Sequence, residues 1–341
     1  MARNRIHLIG PAGSCGAFVR ALGLAGADEL ITLVQRLVGE AYRVTGNAAI
    51  IETTEDEAHG GRADDAQRAA DIQEALADDD VRAVVAIRGG AWLTRVMPHI
   101  DFSVLDRRSG PITVFGFSEI SSLVNIVAGY TQGFGVYDMS PAFLTYGLRK
   151  RAAAAQNAED PKAAMRSHLL GEFGDYFRDV VRMLHGSGSA RTITAKLCSG
   201  AWPTNRVIEI VGGNLAIVSA LVGTRYDACI RPDGRWLLIE DVNEKVERID
   251  RMLAHFSLAG FWESCAGLLV GDFHLDNEHL TPSVCELLPY HLPSERSIPV
   301  LTTRDIGHVW PMSPVPLARP LPLAIIDDDT CRIGFPVDQC V

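Results

Sequence analysis

Apolar residues recur in two rhythms from the start of the chain to Tyr130, and their alternation predicts its architecture. Arg5 to Ile9 and Val81 to Ile87 are short, nearly continuous apolar runs, as in strands covered on both faces. Between them Ala27 to Val38 and Ala66 to Ala77 place apolar residues three and four apart, as in helices with one buried face, and Asp64 or Asp65 supplies an acidic cap for the second. Ala48 to Thr53 reads as a second strand. A further run, Ile112 to Phe117, meets Ser118 at a corner, after which Leu123, Ile126 and Val127 return to helical spacing. Strand, turn and helix in repeated succession define an α/β chain with a doubly wound parallel sheet.

Beyond Tyr130 the texture changes. Residues 136–190 are rich in alanine and charge, predict a helix in two pieces around Pro161, and close in Gly186-Ser187-Gly188-Ser189. They read as a connection between a domain at 1–135 and another at 191–341. In the second domain Arg206 to Val211 leads into Gly212-Gly213-Asn214 and an apolar helix through Leu221. Trp236 to Ile239 is a buried strand that delivers Glu240 and Asp241, and a helix carrying Ile249, Leu253 and Phe256 follows. Gly267 to Val270 and Ser297 to Leu301 are further strands, and a loop runs from Thr302 to His308.

Composition narrows the class without naming it. With 341 residues, 47% hydrophobic and 22% charged, the chain is globular and long enough for two cores. A net charge of -10 argues against a nucleic-acid partner, which demands a basic face. Seven cysteines form no C-x-x-C pair, which argues against a disulfide framework or a zinc ribbon. No run reaches the ~18 apolar residues of a membrane span, and the first strand is too short for a secretion signal. The expected compartment is the cytoplasm.

Ser118 is the first candidate for chemistry. At a helix N-terminus it is either an N-cap or a nucleophile whose oxyanion the unpaired first-turn N–H groups would stabilise. Gly89-Gly90, after Arg88 at the carboxyl end of a buried strand, lets a substrate approach the backbone at the same edge of the sheet. Gly10, Gly13 and Gly16 resemble a phosphate-cradling loop but fit neither G-x-G-x-x-G nor the Gly-Lys-Ser/Thr pattern, so a plain βα turn is the expectation. Asp272, His274, Asp276, Glu278 and His279 lack the H-E-x-x-H spacing and read as a solvated loop rather than a metal site. His59, His99, His168 and His185 read as surface or capping residues. Three features converge: Ser118 at a strand-to-helix corner, the acidic pair Glu240 and Asp241 at the end of a buried strand, and His308 after a glycine in a late loop, which together would make nucleophile, orienting carboxylate and base.

The segments AIRGG (Ala86 to Gly90), FGFSEISSL (Phe115 to Leu123), VGGNLAIVSALVGT (Val211 to Thr224), LLIEDVNEKVERIDRML (Leu237 to Leu253), GLLVGDF (Gly267 to Phe273) and PVLTTRDIGH (Pro299 to His308) occur in an order and spacing that resemble the LD-carboxypeptidase family of serine peptidases. The family includes the microcin C self-immunity hydrolases, and the similarity spans nearly the whole chain. It implies a flavodoxin-like N-terminal domain carrying the nucleophile and a β-rich C-terminal domain carrying the other two triad members. Ser118 then matches the nucleophile, Glu240 the acid and His308 the base, and the backbone N–H of Glu119 with one from Gly89-Gly90 matches the oxyanion hole. It also implies a metal-independent, cofactor-free homodimer that removes a C-terminal D-amino acid from murein tetrapeptides during peptidoglycan recycling.

The chain departs from the family pattern at three places near the substrate. Glu119 stands where aspartate is usual, Ala91 replaces an aromatic residue, and Tyr137-Asp138-Met139-Ser140 replaces a His-Gly-Pro-like segment. Arg88, Ala91, Asp138 and Trp202 are therefore the substrate-binding candidates. Trp202 or Trp310 stacking on a ligand ring would favour a peptide-nucleotide of the microcin type. Two other classes compete, a non-catalytic peptide binder and a nucleotide-dependent oxidoreductase.

Overall fold

The computed structural model describes residues 4–52, 64–145 and 160–335. His59 and the first of the two helical pieces expected around Pro161 lie outside the described residues. In the first half, β1 (Arg5–Ile9), β2 (Arg43–Gly46), β3 (Val81–Ala86), β4 (Ile112–Gly116) and β5 (Gly133–Tyr137) form a parallel sheet in the order β2-β1-β3-β4-β5. This is the doubly wound, flavodoxin-like order, whose reversal between β1 and β3 opens a crevice at the carboxyl ends of the strands. The loops after β1, β3 and β4 meet at that crevice.

One strand differs from the sequence expectation. Ala48–Glu52 is a short helix and the second strand is Arg43–Gly46. Asn47 accepts the Ile50 N–H on its side chain at 3.3 Å, which starts the helix, and a short apolar run carries no periodicity to separate helix from strand. The helix of Ala27–Val38 has the expected bounds, and that of Asp65–Ala77 starts one residue earlier.

β4 is buried at all five positions, and the helix Ser121–Ala128 that follows Ser118 lies directly on β5. Gly133 and Gly135 allow this approach, since a Cβ there would fall 1.9 Å from the Val127 oxygen and 2.0 Å from the Val124 oxygen. The glycines of β5 thus set the height of the helix that Ser118 introduces.

Pro161 opens the second of the two expected helical pieces, Pro161–Leu184, with Asp160 as a cap accepting from the N–H groups of Lys162 and Ala163. This helix packs on the first half: Phe173 meets Phe18 with ring centres 5.6 Å apart, and Arg166 donates to the Leu22 oxygen at 2.7 Å.

The second half is β-rich and mixed. It contains β6 (Ile193–Ser199), β7 (Val207–Ile208), β8 (Ile210–Asn214), β9 (Trp236–Val242), β10 (Gly267–Leu275), β11 (Glu278–His279) and β12 (Val300–Thr302). β13 (Val315–Pro316) leaves this half to pair antiparallel with β5 of the first sheet. β14 (Leu321–Ile325) and β15 (Thr330–Ile333) return, giving the order β7-β14-β15-β6-β12-β10-β9-β8, with β11 on β10. The two end strands are consecutive in the chain, so the sheet curls back on itself. The expected boundary between residues 135 and 136 falls inside β5. Among the described residues no helix is long and apolar enough to cross a membrane.

Candidate active site

Ser118 ends the turn after β4 with φ +59°, a left-handed conformation uncommon outside glycine and of the kind that lifts a nucleophile clear of a strand-to-helix corner. Its side chain caps no helix. Its Oγ lies 3.0 Å from His308 Nε2, and His308 Nδ1 lies 2.9 Å from Glu240 Oε2. With Nδ1 protonated and bonded to the carboxylate, Nε2 is left to accept the serine proton.

Three elements of the second half deliver the other two groups. Glu240 sits in β9 beside Asn214 of β8 and is completely buried. His308 follows a loop held to β10, where the Asp272 N–H donates to the Ile306 oxygen at 2.8 Å. The His308 ring packs against Phe117 and Phe143 at centre distances of 4.9 and 5.7 Å. Burial works against the charged imidazole, but the Glu240 charge and hydrogen bond outweigh it and hold the His308 pKa above the ordinary histidine value. Asp241, the alternative orienting acid, is turned away: it accepts from Asn214 Nδ2 at 3.0 Å and from the N–H groups of Ala216 and Val242 at 2.8 Å. Burial, and then the Glu240 charge, push its pKa up to about 7.

Sequence reasoning missed several supports. The Tyr137 hydroxyl donates to Glu240 Oε1 at 2.6 Å and accepts the Ser118 N–H at 3.3 Å. Ser121 donates to the Ser118 carbonyl at 2.6 Å and accepts the Asn214 N–H at 3.0 Å, tying the nucleophile turn to β8. Asn125 exchanges two hydrogen bonds with Gly212, at 2.8 and 2.9 Å. A tyrosine at the end of the strand next to the nucleophile strand was the available signal for Tyr137.

The candidate oxyanion groups lie beside Ser118. A Cβ on Gly89 would be 3.3 Å from Ser118 Cβ, so only glycine keeps this face open. The Gly89 carbonyl accepts from the Gly13 N–H at 2.9 Å, which directs the Gly90 N–H to the other side of the same peptide plane. The Gly10 to Gly16 turn therefore buttresses the Gly89-Gly90 turn. Glu119 is buried, and its carboxylate accepts from the Thr94 N–H at 3.3 Å, linking the nucleophile turn to the helix after Gly90. Burial raises its pKa to about 7 against the opposing backbone bonds from Thr94 and Leu93.

Ser118 and His308 open into a cleft of about 800 Å³. Of the substrate-binding candidates Arg88 lines it, with its guanidinium against Gly13 and one bond to the Ser14 carbonyl. Ala91 is exposed and outside the lining. Asp138 lies beneath the cleft, completely buried, with Oδ1 accepting from the Met139 N–H at 2.9 Å and lying 3.6 Å from Arg191. Burial lifts its pKa to about 6, opposed by the Arg191 charge. Trp202 is also outside the lining and donates its indole N–H to the Asp328 carbonyl at 3.1 Å. Asp138 is a candidate because its segment departs from the family pattern near the expected substrate position, but the chain turns its side chain inward. Asn243, Asp276 and Asn277 line the opposite rim, the first two with positive φ. Asp272 bonds His274 at 2.8 Å and His279 at 3.1 Å, and among the described residues no group of three or more His, Cys, Asp or Glu is arranged to hold a metal ion.

Residues 6–137 match the LD-carboxypeptidase N-terminal domain and residues 209–323 the LD-carboxypeptidase C-terminal domain, together well over half of the chain. These two matches, with relatives named as carboxypeptidases, place the chain among the serine-type carboxypeptidases. The chain belongs to the LD-carboxypeptidase family. It is 27% identical to the probable murein peptide carboxypeptidase of Bacillus subtilis (strain 168), over 74% of this chain and 72% of that one. The fold is similar to that of an MccF-like protein from Bacillus anthracis str. Ames, with TM-score 0.67 and 15% identity over 97% of both chains. It is also similar to muramoyltetrapeptide carboxypeptidase from Oxalobacter formigenes, with TM-score 0.61 and 18% identity over 96% of this chain and 98% of that one.

Proposed function

We propose that this protein removes the C-terminal D-amino acid from murein tetrapeptides through an acyl-enzyme on Ser118. The observation that carries the reading is the continuous hydrogen-bonded path from Ser118 Oγ through His308 to Glu240 at the floor of the cleft. Ser118 Oγ attacks the carbonyl carbon of the last peptide bond while His308 Nε2 takes its proton. Glu240 stays ionised, holding the imidazole in the required tautomer and balancing its charge. The oxyanion is met by the N–H of Glu119 and one from the Gly89-Gly90 turn. His308 then gives its proton to the leaving amine, and water admitted on the same side hydrolyses the serine ester by the reverse sequence.

Arg88 is the cation of fixed charge among the lining residues and the partner proposed for the peptide's terminal carboxylate. The setting proposed is a cytoplasmic homodimer acting on recycled muropeptides, with no metal or cofactor in the reaction. The B. subtilis relative, a probable murein peptide carboxypeptidase, and the family membership support this substrate class. The stacking role of Trp202 that favoured a peptide-nucleotide has no support in its position.

The test is mass spectrometry of products from a murein tetrapeptide, an aminoacyl-sulfamoyl adenosine and an all-L peptide, with and without chelator. Release of the terminal D-amino acid from the tetrapeptide alone, unaffected by chelator, is expected. Cleavage confined to the sulfamoyl adenosine replaces this substrate class with the other, and failure of a fluorophosphonate to label Ser118 overturns the serine mechanism.

A further inference from the structure

The hydrogen bonds around Ser118 close into a ring, and one member of that ring, Tyr137, has no place in the nucleophile–base–acid path. His308 joins Glu240 Oε2 to the Ser118 hydroxyl, and Tyr137 joins Glu240 Oε1 to the Ser118 backbone. We propose that Tyr137 is a positioning residue for the reaction, its hydroxyl fixing the Glu240 carboxylate and the Ser118 turn relative to one another across the junction of the two sheets. The proposal rests on the reading of this site as a serine hydrolase.

The direction of each bond is set by chemistry. An ionised carboxylate only accepts and a backbone N–H only donates, so the single phenolic proton must go to Glu240 and the phenolic lone pair must take the Ser118 N–H. Burial, and then the Glu240 charge, raise the Tyr137 pKa well above its ordinary value and keep that proton in place. Without the hydroxyl, Glu240 Oε1 would keep only Asn214 Nδ2 at 3.4 Å, a poor bond for a completely buried charge.

Location explains why this residue can bridge two halves of the chain. Tyr137 ends β5 opposite Gly116, two residues before Ser118, so its ring reaches past the nucleophile toward β9. The second half leaves a slot for it at Gly213. There φ is +143°, and a Cβ would stand 2.9 and 3.2 Å from Tyr137 ring atoms and 2.8 Å from Ser121 Oγ. The glycine pair before Asn214 is therefore partly a requirement of the tyrosine. Ser118 gains a tether from its N–H at a residue whose positive φ is intrinsically unfavourable.

The hydroxyl also bears on the base. By drawing charge toward Oε1 it limits how strongly Glu240 favours the imidazolium. Deleting it leaves more of the Glu240 charge on the oxygen facing the imidazole, which raises the His308 pKa further, and releases the Ser118 turn, which slows the reaction.

Tyr137→Phe keeps the ring and removes the hydroxyl. In the full chain, Ser118 labelling by a fluorophosphonate is followed from about pH 5.5 to about 9, alongside thermal unfolding. We expect labelling at the alkaline plateau to slow by about 10- to 100-fold and the acid limb to move up by about half a unit or more. In a Glu240→Gln background the same substitution is expected to change the rate by less than about threefold, because its partner charge is gone.

Labelling within about twofold of wild type with an unmoved limb overturns the proposal, as does full additivity in the double variant. If the Phe variant does not fold, 3-fluorotyrosine placed at position 137 keeps the hydroxyl and strengthens it as a donor. It must then move the limb downward, and an unmoved limb overturns the proposal. A wild-type protein that fails to label overturns the hydrolase reading itself, an outcome distinct from a Tyr137 variant that behaves as wild type.

Discussion

Two groups of side chains surround the Ser118 hydroxyl, and they are built differently. Behind it, Tyr137, Glu240, Asn214 and Ser121 are buried and hydrogen-bonded to one another and to the nucleophile turn. In front, Arg88 is half-buried and Asn243, Asp276 and Asn277 are exposed, all in turns that line the cleft. A network with its polar atoms satisfied has one arrangement, whereas turn residues can change without disturbing a core. Under the proposed mechanism the rear wall carries the chemistry and the front wall the choice of substrate. The departures from the family pattern fall on both sides of this division: Tyr137 belongs to the rear wall and Glu119 is buried, its proposed part in the reaction being a backbone N–H, whereas Ala91 is exposed.

Breaking the rear wall should cost most. Ser118→Ala or His308→Ala is expected to lower kcat by about 10⁴-fold or more, measured by tetrapeptide turnover, with little change in KM. Glu240→Gln should cost about 10³- to 10⁴-fold and also report on the electrostatics. Because Glu240 raises the His308 pKa and the reaction needs neutral imidazole, kcat/KM in the wild type should rise through a pKa above 6.5. Removing the charge should bring that limb down, and a limb that stays in place would mean that another group governs it.

The same contrast appears in what the sequence disclosed. The strand, corner and helix from Ile112 to Ala128 are legible because the signal is local, carried by apolar spacing within one turn of either side of Ser118. Partners of the serine are not local. His308 lies 190 positions from Ser118 and 68 from Glu240, and Tyr137 lies 103 from Glu240. No periodicity connects such residues: the acid and base were legible only as an acidic pair at a strand end and a histidine in a late loop, to which the family resemblance gave roles, and Tyr137 offered only its place at the end of the strand next to the nucleophile strand. Asp138 and Trp202 show two further limits, since a sequence gives neither depth, which puts Asp138 wholly inside, nor distance across the fold, which puts Trp202 away from the cleft lining. Ala48–Glu52 marks the limit for short apolar runs, where one asparagine side chain decides between helix and strand.

A packing test separates the rear wall's geometry from its charges. Gly213→Ala places a methyl against the Tyr137 ring and Ser121 at a φ that alanine rarely adopts. A loss of about 2 to 4 kcal/mol in urea unfolding is expected, with a fall in activity that tracks displacement of Tyr137. Unchanged stability would mean that β8 shifts away freely and that the slot is not tight.

The pH dependence of stability gives a smaller effect of defined sign. Glu119 goes from 4.5 to about 7 on folding and Asp241 from 3.8 to about 7. A raised carboxyl contributes stability that is fully present below its unfolded value and lost as pH rises through about 7. The His308 contribution is likewise present below 6.5 and lost above its raised value. All three fall in the direction in which His308 becomes a competent base, so activity should be gained as stability declines. Glu119→Gln should flatten the fall between about pH 5 and 8 by about 1 to 3 kcal/mol in denaturant midpoints, and an equally steep fall in the variant would remove Glu119 from this account.

The front wall should answer most gently. Arg88 offers a planar fork of donors beside Gly89, one of them already committed to the Ser14 carbonyl, while the rest of the guanidinium lies against Gly13. Arg88→Lys keeps the charge but loses the paired geometry that suits a carboxylate. For a peptide with a free C-terminal carboxylate, KM should rise by about 3- to 10-fold while kcat stays within about twofold, since the contact is made equally in ground and transition states. A peptide amide should already bind poorly to the wild type, so the acid-to-amide ratio in kcat/KM should narrow in the variant. If the ratio is the same in both proteins, the carboxylate is read elsewhere on the rim; if kcat falls instead of KM rising, Arg88 acts on the neighbouring Gly89-Gly90 turn and belongs with the rear wall.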